Sequence, residues 1–205
     1  MSVEQSWIDW LIEQPLGQYF VPIDREFLEN MFSYYGLRQK VPNFKQALEI
    51  IKGPYLRDDI RPKEWPSNID EYGLCLYGLL HARFLLTESG LQKMRQKYCE
   101  ADFHVCPRTL CRKTKCLPYG PSDDVGQSSL RIFCPKCRDI YAFPEKNPYV
   151  MDGAFFGPSW VHVFVQKFPE IFPQFPTASY TPLIFGFKIC DAKNLPPSED
   201  EDLAM

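Results

Sequence analysis

The chain has 205 residues, 45% of them apolar and 15% aromatic, enough for the core of one large domain or two small ones. Its formal charge is −3, which argues against a dedicated nucleic-acid binder, and no apolar run reaches the ~20 residues of a membrane-spanning helix. The first twenty residues carry Glu4, Asp9 and Glu13 but no Lys or Arg, so no secretory leader is expected, and eight cysteines then fit a reducing cytoplasm or nucleus better than a disulfide scaffold.

In chain order, Trp7, Trp10 and Leu11 fall at helical spacing over residues 6–14, ending at Pro15. Asp24 is placed to cap a helix with Phe27, Leu28, Met31, Phe32 and Tyr35 on one face and Gly36 just past its end. Asn43 is placed to cap a third, carrying Phe44, Ala47, Leu48 and Ile51 and stopped by Gly53-Pro54. Residues 53–66 hold three prolines and mixed charge and read as a loop. The longest helix spans 69–86, where Leu76, Tyr77, Leu79, Leu80, Phe84 and Leu85 cover more than one face and predict a central position. Thr87 to Gly90 breaks the pattern before a short helix over Leu91 to Tyr98. Residues 1–100 therefore read as an all-helical domain. His81 and His162 are each expected to be hydrogen-bonded core groups. No Ser/His/Asp set, carboxylate pair or phosphate-binding loop declares a catalytic site, so the chain reads as non-catalytic.

The chemistry concentrates between Cys106 and Cys137. Cys106-Pro107-x-x-x-Cys111 and Cys134-Pro135-x-Cys137 are two short turns with two thiols each, and 22 residues separate them. Zinc takes four soft ligands at tetrahedral corners, and the prolines preset a tight turn in both. The pattern predicts one structural Zn²⁺ per chain on Cys106, Cys111, Cys134 and Cys137. Cys116 leaves an alternative open, because Cys111 and Cys116 could form the first pair; Cys106 is preferred because its Cys-Pro turn mirrors the second pair. A redox Cys-x-x-Cys would leave Cys106 and Cys111 idle, and a zinc deaminase needs a glutamate two residues after its histidine, where His104 is followed by Val105 and Cys106. Residues 104–146 hold eight Lys/Arg against four Asp/Glu, a local excess that favours thiolates. The same cations allow a second reading, a zinc-ribbon nucleic-acid-binding or transcription-related factor, though aromatic interleaving is sparse and nucleic acid is not the expected partner. Leu130 to Phe133 reads as a strand feeding the second pair, and residues 154–168 as a helix around Trp160, Val161, Phe164 and Phe168, followed by an irregular connector from Pro169 to Pro176.

These motifs resemble the regulatory beta subunit of casein kinase II. Leu76-Tyr77-Gly78-Leu79-Leu80-His81-Ala82-Arg83, the two cysteine turns, Leu117-Pro118-Tyr119-Gly120, Asp152 to Gly157 and Phe185-Gly186-Phe187-Lys188-Ile189 fit in that order over roughly residues 6–190. Tyr119 and Leu130 depart from the family pattern, which marks a divergent member. The resemblance implies an α+β chain: a helical domain over 1–100, a rubredoxin-like zinc ribbon with its following helix over 104–168, an extended kinase-docking segment over 169–190, and an acidic tail over 191–205. It implies a homodimer formed through the ribbon, with Pro107, Thr109, Leu110, Leu117 and Tyr119 at the contact. The ribbon also has more apolar side chains, Ile132 among them, than it can easily hide. It further implies two catalytic kinase subunits per dimer, with kinase substrates and other regulators as further partners and no membrane. The family's acidic loop is altered here, since Lys52, Arg57, Arg61 and Lys63 outnumber Asp58, Asp59 and Glu64.

Leu183, Ile184, Phe185 and Phe187 are the expected kinase contacts. If extended, the run sends Leu183, Phe185, Phe187 and Ile189 to one side, while Gly186 permits a sharp turn that aims both rings outward. Phe185 and Phe187 match the family's aromatic docking pair. Ser198, followed by Glu199, Asp200 and Glu201, and Ser2, near Glu4, are the expected phosphorylation sites for a kinase that reads acidic residues.

Overall fold

The computed structural model describes residues 5–57, 60–100, 103–143, 151–172 and 180–188. It is a mixture of helices and two small antiparallel sheets. The first helix, α1 (Trp7–Glu13), is capped by the Ser6 hydroxyl, which accepts from the Asp9 amide. Trp7 is fully buried, and its indole N–H donates to Asp70 at 2.8 Å.

The second helix is shorter than its apolar periodicity implies. α2 covers only Arg25–Glu29, and Asn30 turns the chain into a 3₁₀ segment over Met31–Tyr34 by accepting from the Phe32 amide. Met31, Phe32 and Tyr35 then point to solvent rather than to a core, at 71%, 86% and 83% exposure. Asp24 does not cap this helix through its side chain; its carboxylate is taken by Lys93, at 2.6 Å, and by Ser89. α3 (Phe44–Lys52) starts after Asn43, which adopts a left-handed conformation and makes no side-chain cap bond.

α4 (Ile69–Phe84) is the central element, as its two-sided apolar pattern requires. Leu76, Tyr77 and Leu80 have no exposed surface, and α3 packs along it. Gly78 is where the turn at Gly153–Phe155 meets the helix: a Cβ there would lie 2.3 Å from the Phe155 ring. His81 joins three segments. Its Nε2 accepts from the Val21 amide at 3.2 Å and its Nδ1 faces the Phe155 carbonyl at 2.9 Å, which fixes the tautomer with the proton on Nδ1. Burial holds this imidazole neutral, lowering its pKa to about 3. The expectation of a hydrogen-bonded core histidine holds for His81 but not for His162, which is exposed beside the Phe133 ring.

α5 spans Glu88–Glu100, starting three residues before the predicted Leu91. The Thr87 hydroxyl donates to the Phe84 carbonyl and accepts from the Gly90 amide, so the supposed breaker is a cap. Near the chain's other end, α6 (Trp160–Lys167) begins later than expected because Gly157, at φ 70°, and Pro158 divide it from the 3₁₀ turn at Gly153–Phe155.

Between them lies a three-stranded sheet of β1 (Leu117–Tyr119), β2 (Arg131–Cys134) and β3 (Asp139–Ala142), in the order β1-β2-β3. Leu117 pairs with Phe133 and Pro118 with Ile132, so alternation sends Leu117, Tyr119 and Phe133 to one face and Ile132 and Cys134 to the other. The first face joins the large apolar core shared with α4 and α6; the second covers the cysteines. Ile132, Leu117 and Tyr119 are thereby hidden within the chain itself, contrary to the expectation that the ribbon has too little cover for them. No described helix is long and apolar enough to cross a membrane.

Candidate metal centre and exposed hairpin

The first cysteine turn is a small hairpin. Val105 bridges Lys115, the Cys106 amide donates to the Thr114 carbonyl and the Cys116 amide to the His104 carbonyl. A 3₁₀ turn over Thr109–Cys111 closes it. The second turn connects β2 to β3, with the Arg138 amide donating to the Cys134 carbonyl at 2.8 Å. In both, the residue after the second cysteine is left-handed: Arg112 at φ 53° and Arg138 at φ 57°. Such a residue costs roughly 1–2 kcal/mol without glycine, and Lys113, at φ 58°, adds a third, so something must offset this strain.

The two turns bring Cys106, Cys111, Cys134 and Cys137 together, with all four sulfurs within 4.8 Å of one another. The set could hold a metal ion. Tetrahedral coordination with metal–sulfur bonds of about 2.3 Å places sulfurs about 3.8 Å apart. The Cys106 and Cys137 sulfurs are 3.8 Å apart. Cys106, Cys111 and Cys134 are buried, and the Tyr141 hydroxyl lies 3.2 Å from the Cys137 sulfur, so four ligands would be closed off from an open coordination position. Cys116 is buried beside the cluster but outside this set of four, its sulfur 3.8 Å from the Thr114 carbonyl.

As thiols, three of these four groups resist ionisation. Burial pushes Cys106 up to about 12 and raises Cys111, and Cys134 is raised by its hydrogen bond with Cys116 and by burial. Burial works against Cys137 as well, but hydrogen bonds from Tyr141 and Cys134 outweigh it and hold that thiol below its ordinary value. A divalent cation would supply the positive charge needed for the remaining thiols to ionise.

Of the residues expected at a dimer contact, Leu117 and Tyr119 are buried, Pro107 and Thr109 are exposed, and Leu110 is half-buried. Exposed Val105 sits beside them and was not foreseen.

The second feature is a short hairpin of β4 (Leu183–Ile184) and β5 (Phe187–Lys188), with Ile184 opposite Phe187 and Leu183 opposite Lys188. Phe185 and Gly186 form the turn, both left-handed at φ 48° and 89°, the conformation of a two-residue I′ hairpin. The run is therefore folded back rather than extended, and Ile184, not Leu183, shares a face with Phe187. Phe185 is 97% exposed and Phe187 78%. Ser2, Ser198 and Ile189 lie outside the described residues.

The family model for the casein kinase II regulatory subunit matches residues 6–188. Casein kinase II subunit beta of Schizosaccharomyces pombe is 37% identical over 185 residues, covering 90% of this chain and 79% of the relative. Casein kinase II subunit beta′ of Drosophila melanogaster is 37% identical over 192 residues, covering 92% and 85%, and subunit beta′ of Saccharomyces cerevisiae is 36% identical over 186 residues, covering 89% and 72%. The fold and the cysteine cluster thus belong to a non-catalytic regulator of a protein kinase. The chain is a member of the casein kinase II regulatory subunit family.

Proposed function

We propose that this chain dimerises through a rubredoxin-like zinc ribbon and docks its C-terminal hairpin onto catalytic serine/threonine kinase subunits, two per dimer. Docking would stabilise the kinase, tune its substrate choice and recruit substrates and other regulators. The observation that carries this reading is the hairpin tip, which holds two phenylalanines in solvent at 97% and 78% exposure. Leaving two rings in water forgoes several kcal/mol of burial, a cost that a receiving pocket on a partner recovers. Leu183 and Ile184, at 52% and 56% exposure, extend the same apolar surface.

Zinc is the ion that four thiolates in a closed tetrahedral site select. For the dimer, the uncharged side chains of the first cysteine turn supply the contact: exposed Val105, Pro107 and Thr109 with half-buried Leu110. Leu117 and Tyr119 lie buried in the large core and are not part of that surface. Thiols meant for zinc suit a reducing cytoplasm and nucleus, where imaging of a tagged chain would find it. Ser198, ahead of three acidic residues, is the better kinase substrate and Ser2 the poorer, which mass spectrometry after incubation with the kinase would rank.

Sedimentation of the purified chain with and without a chelator tests the assembly. A zinc-loaded dimer that dissociates on chelation is expected. A zinc-loaded monomer at micromolar concentration would overturn the dimer, and a dimer that survives chelation would move the contact off the ribbon.

A further inference from the structure

Five cysteines fall between residues 104 and 142, and the four-thiol set leaves out one of them, Cys116. Its place follows from the strand register. β1 and β2 pair Leu117 with Phe133 and Pro118 with Ile132, and one step further the same register sets Cys116 opposite Cys134. Side chains alternate along a strand, so both cysteines share the face of Ile132, away from Leu117 and Phe133. The small buried cluster on that face contains both, and the two thiols are hydrogen-bonded to each other. Cys116 is also held from its other side, where its amide donates to the His104 carbonyl at 2.8 Å and Lys115 bridges Val105.

Residues opposed in an antiparallel ladder lie about 4.5–5.5 Å apart at Cα, inside the roughly 4.4–6.8 Å that a disulfide spans. A buried cysteine is ordinarily a small apolar filler, but this one faces a second sulfur across the sheet, which gives it a reaction. Cys106, Cys111, Cys134 and Cys137 have sulfurs within 4.8 Å of one another, the grouping of a single four-ligand site. With those four engaged on an ion, Cys116 is the sulfur left to condense with an oxidised neighbour.

We propose that Cys116 and Cys134 are a peroxide-sensitive pair whose disulfide withdraws Cys134 from the metal set. The proposal rests on the reading that zinc sits on the other four cysteines and leaves Cys116 out. The Cys134 thiolate attacks hydrogen peroxide, the O–O bond breaks, and a sulfenic acid and hydroxide result. The Cys116 thiol then attacks that sulfur, the S–O bond breaks, and an S–S bond forms with loss of water. The two sulfurs give up the two electrons that peroxide gains. Three thiols remain, one short of a closed tetrahedral site, which costs the ribbon its ion and the order that the ion supplies. A dithiol reductant reverses the change by exchange, taking the disulfide onto itself.

The test treats the full zinc-loaded chain with hydrogen peroxide. It follows zinc release with a chromogenic chelator and the disulfide by peptide mass spectrometry without reduction. Trypsin cuts after Lys115, Arg131 and Lys136, so Cys116, Cys134 and Cys137 fall in separate peptides. Residues 116–131 should appear linked to residues 132–136 as zinc is released, and dithiothreitol should undo the link. Cys116→Ala should hold as much zinc as the native chain and release it roughly tenfold more slowly. Equal release rates would overturn the proposal, as would a link between Cys106 and Cys137, whose sulfurs are 3.8 Å apart, in place of this one. Loss of zinc from untreated Cys116→Ala would overturn it too, by making Cys116 a ligand. If the untreated native chain holds no zinc, the metal reading fails by itself, and a peptide map without the link between Cys116 and Cys134 overturns the pairing separately.

Discussion

Trp7, Phe20, Tyr77 and Phe84 lie wholly inside the helical body, packed against other rings, whereas the cysteine cluster has one aliphatic residue, Ile132, among its buried members. The body is held by burial: aromatic side chains of this size each remove much apolar surface from water, and their edge-to-face contacts add to it. The cluster has too little such surface, and its turns contain three strained left-handed residues, Arg112, Lys113 and Arg138. Its four clustered thiols could hold an ion, and bonds to one would supply the order that burial does not. One chain thus contains a part that folds by exclusion of water and a part whose four thiols could be ordered by coordination, joined across the two faces of a single three-stranded sheet.

The largest effect that separates the two parts is metal removal. Structural zinc contributes on the order of 10 kcal/mol to a module of this kind. Cys134→Ser, or a strong chelator, should abolish hydrogen-exchange protection across residues 104–142 while the amides of α4 stay protected. Uniform protection in the stripped chain would show that the ribbon needs no ion.

Acid should act on the body through His81. Its folded-state pKa, about 3, lies below the ordinary 6.5, so the unfolded chain binds the proton more readily. The stability this neutral imidazole supports is fully present above pH 6.5 and is lost progressively as pH falls towards 3, by several kcal/mol in all. Urea midpoints between pH 7 and 4 should fall in the native chain and fall less in His81→Gln. Parallel slopes for the two proteins would remove His81 from the pH dependence.

A smaller effect is expected at Gly78. Alanine there places a methyl 2.3 Å from the Phe155 ring and should lower stability by roughly 1–3 kcal/mol, read as a lower Tm. An unchanged Tm would mean that the turn at Gly153–Phe155 can retreat freely from α4. Smallest of all is the exposed pair of Lys40 and Asp124, which ties the body to the ribbon's loop at 2.6 Å. Lys40→Ala should cost about 0–1 kcal/mol, and a larger loss would show the two parts coupled by charge rather than by the sheet.

The cysteine turns were readable because metal ligation leaves its spacing in the sequence, and α4 because a two-sided apolar helix has one place to go. Other features left weaker marks. Arg112 and Arg138 are left-handed without glycine, so nothing at those positions announces the conformation. The apolar periodicity of residues 27–35 continues through Asn30, yet Asn30 can bond its own backbone two residues on and ends the helix there. Thr87 resembles a breaker in a list of propensities, and only its hydroxyl geometry reveals a cap. The hydrogen bond from Trp7 to Asp70 brings together residues about sixty positions apart, a closeness that no local pattern encodes. In the hairpin, Gly186 did signal a turn, but a left-handed Phe185 before it shifted the shared face from Leu183 to Ile184.

Docking of the hairpin onto a catalytic kinase subunit is tested most directly by calorimetry with that subunit and the Phe185→Ala, Phe187→Ala double variant. Aromatic anchors of this kind commonly cost on the order of 2–4 kcal/mol each when truncated, roughly thirty- to a thousand-fold in affinity. The expected result is loss of tight binding with zinc content, dimerisation and circular dichroism unchanged, and most of the effect traced to Phe187. Undiminished affinity in the double variant would contradict it and take the hairpin out of the interface.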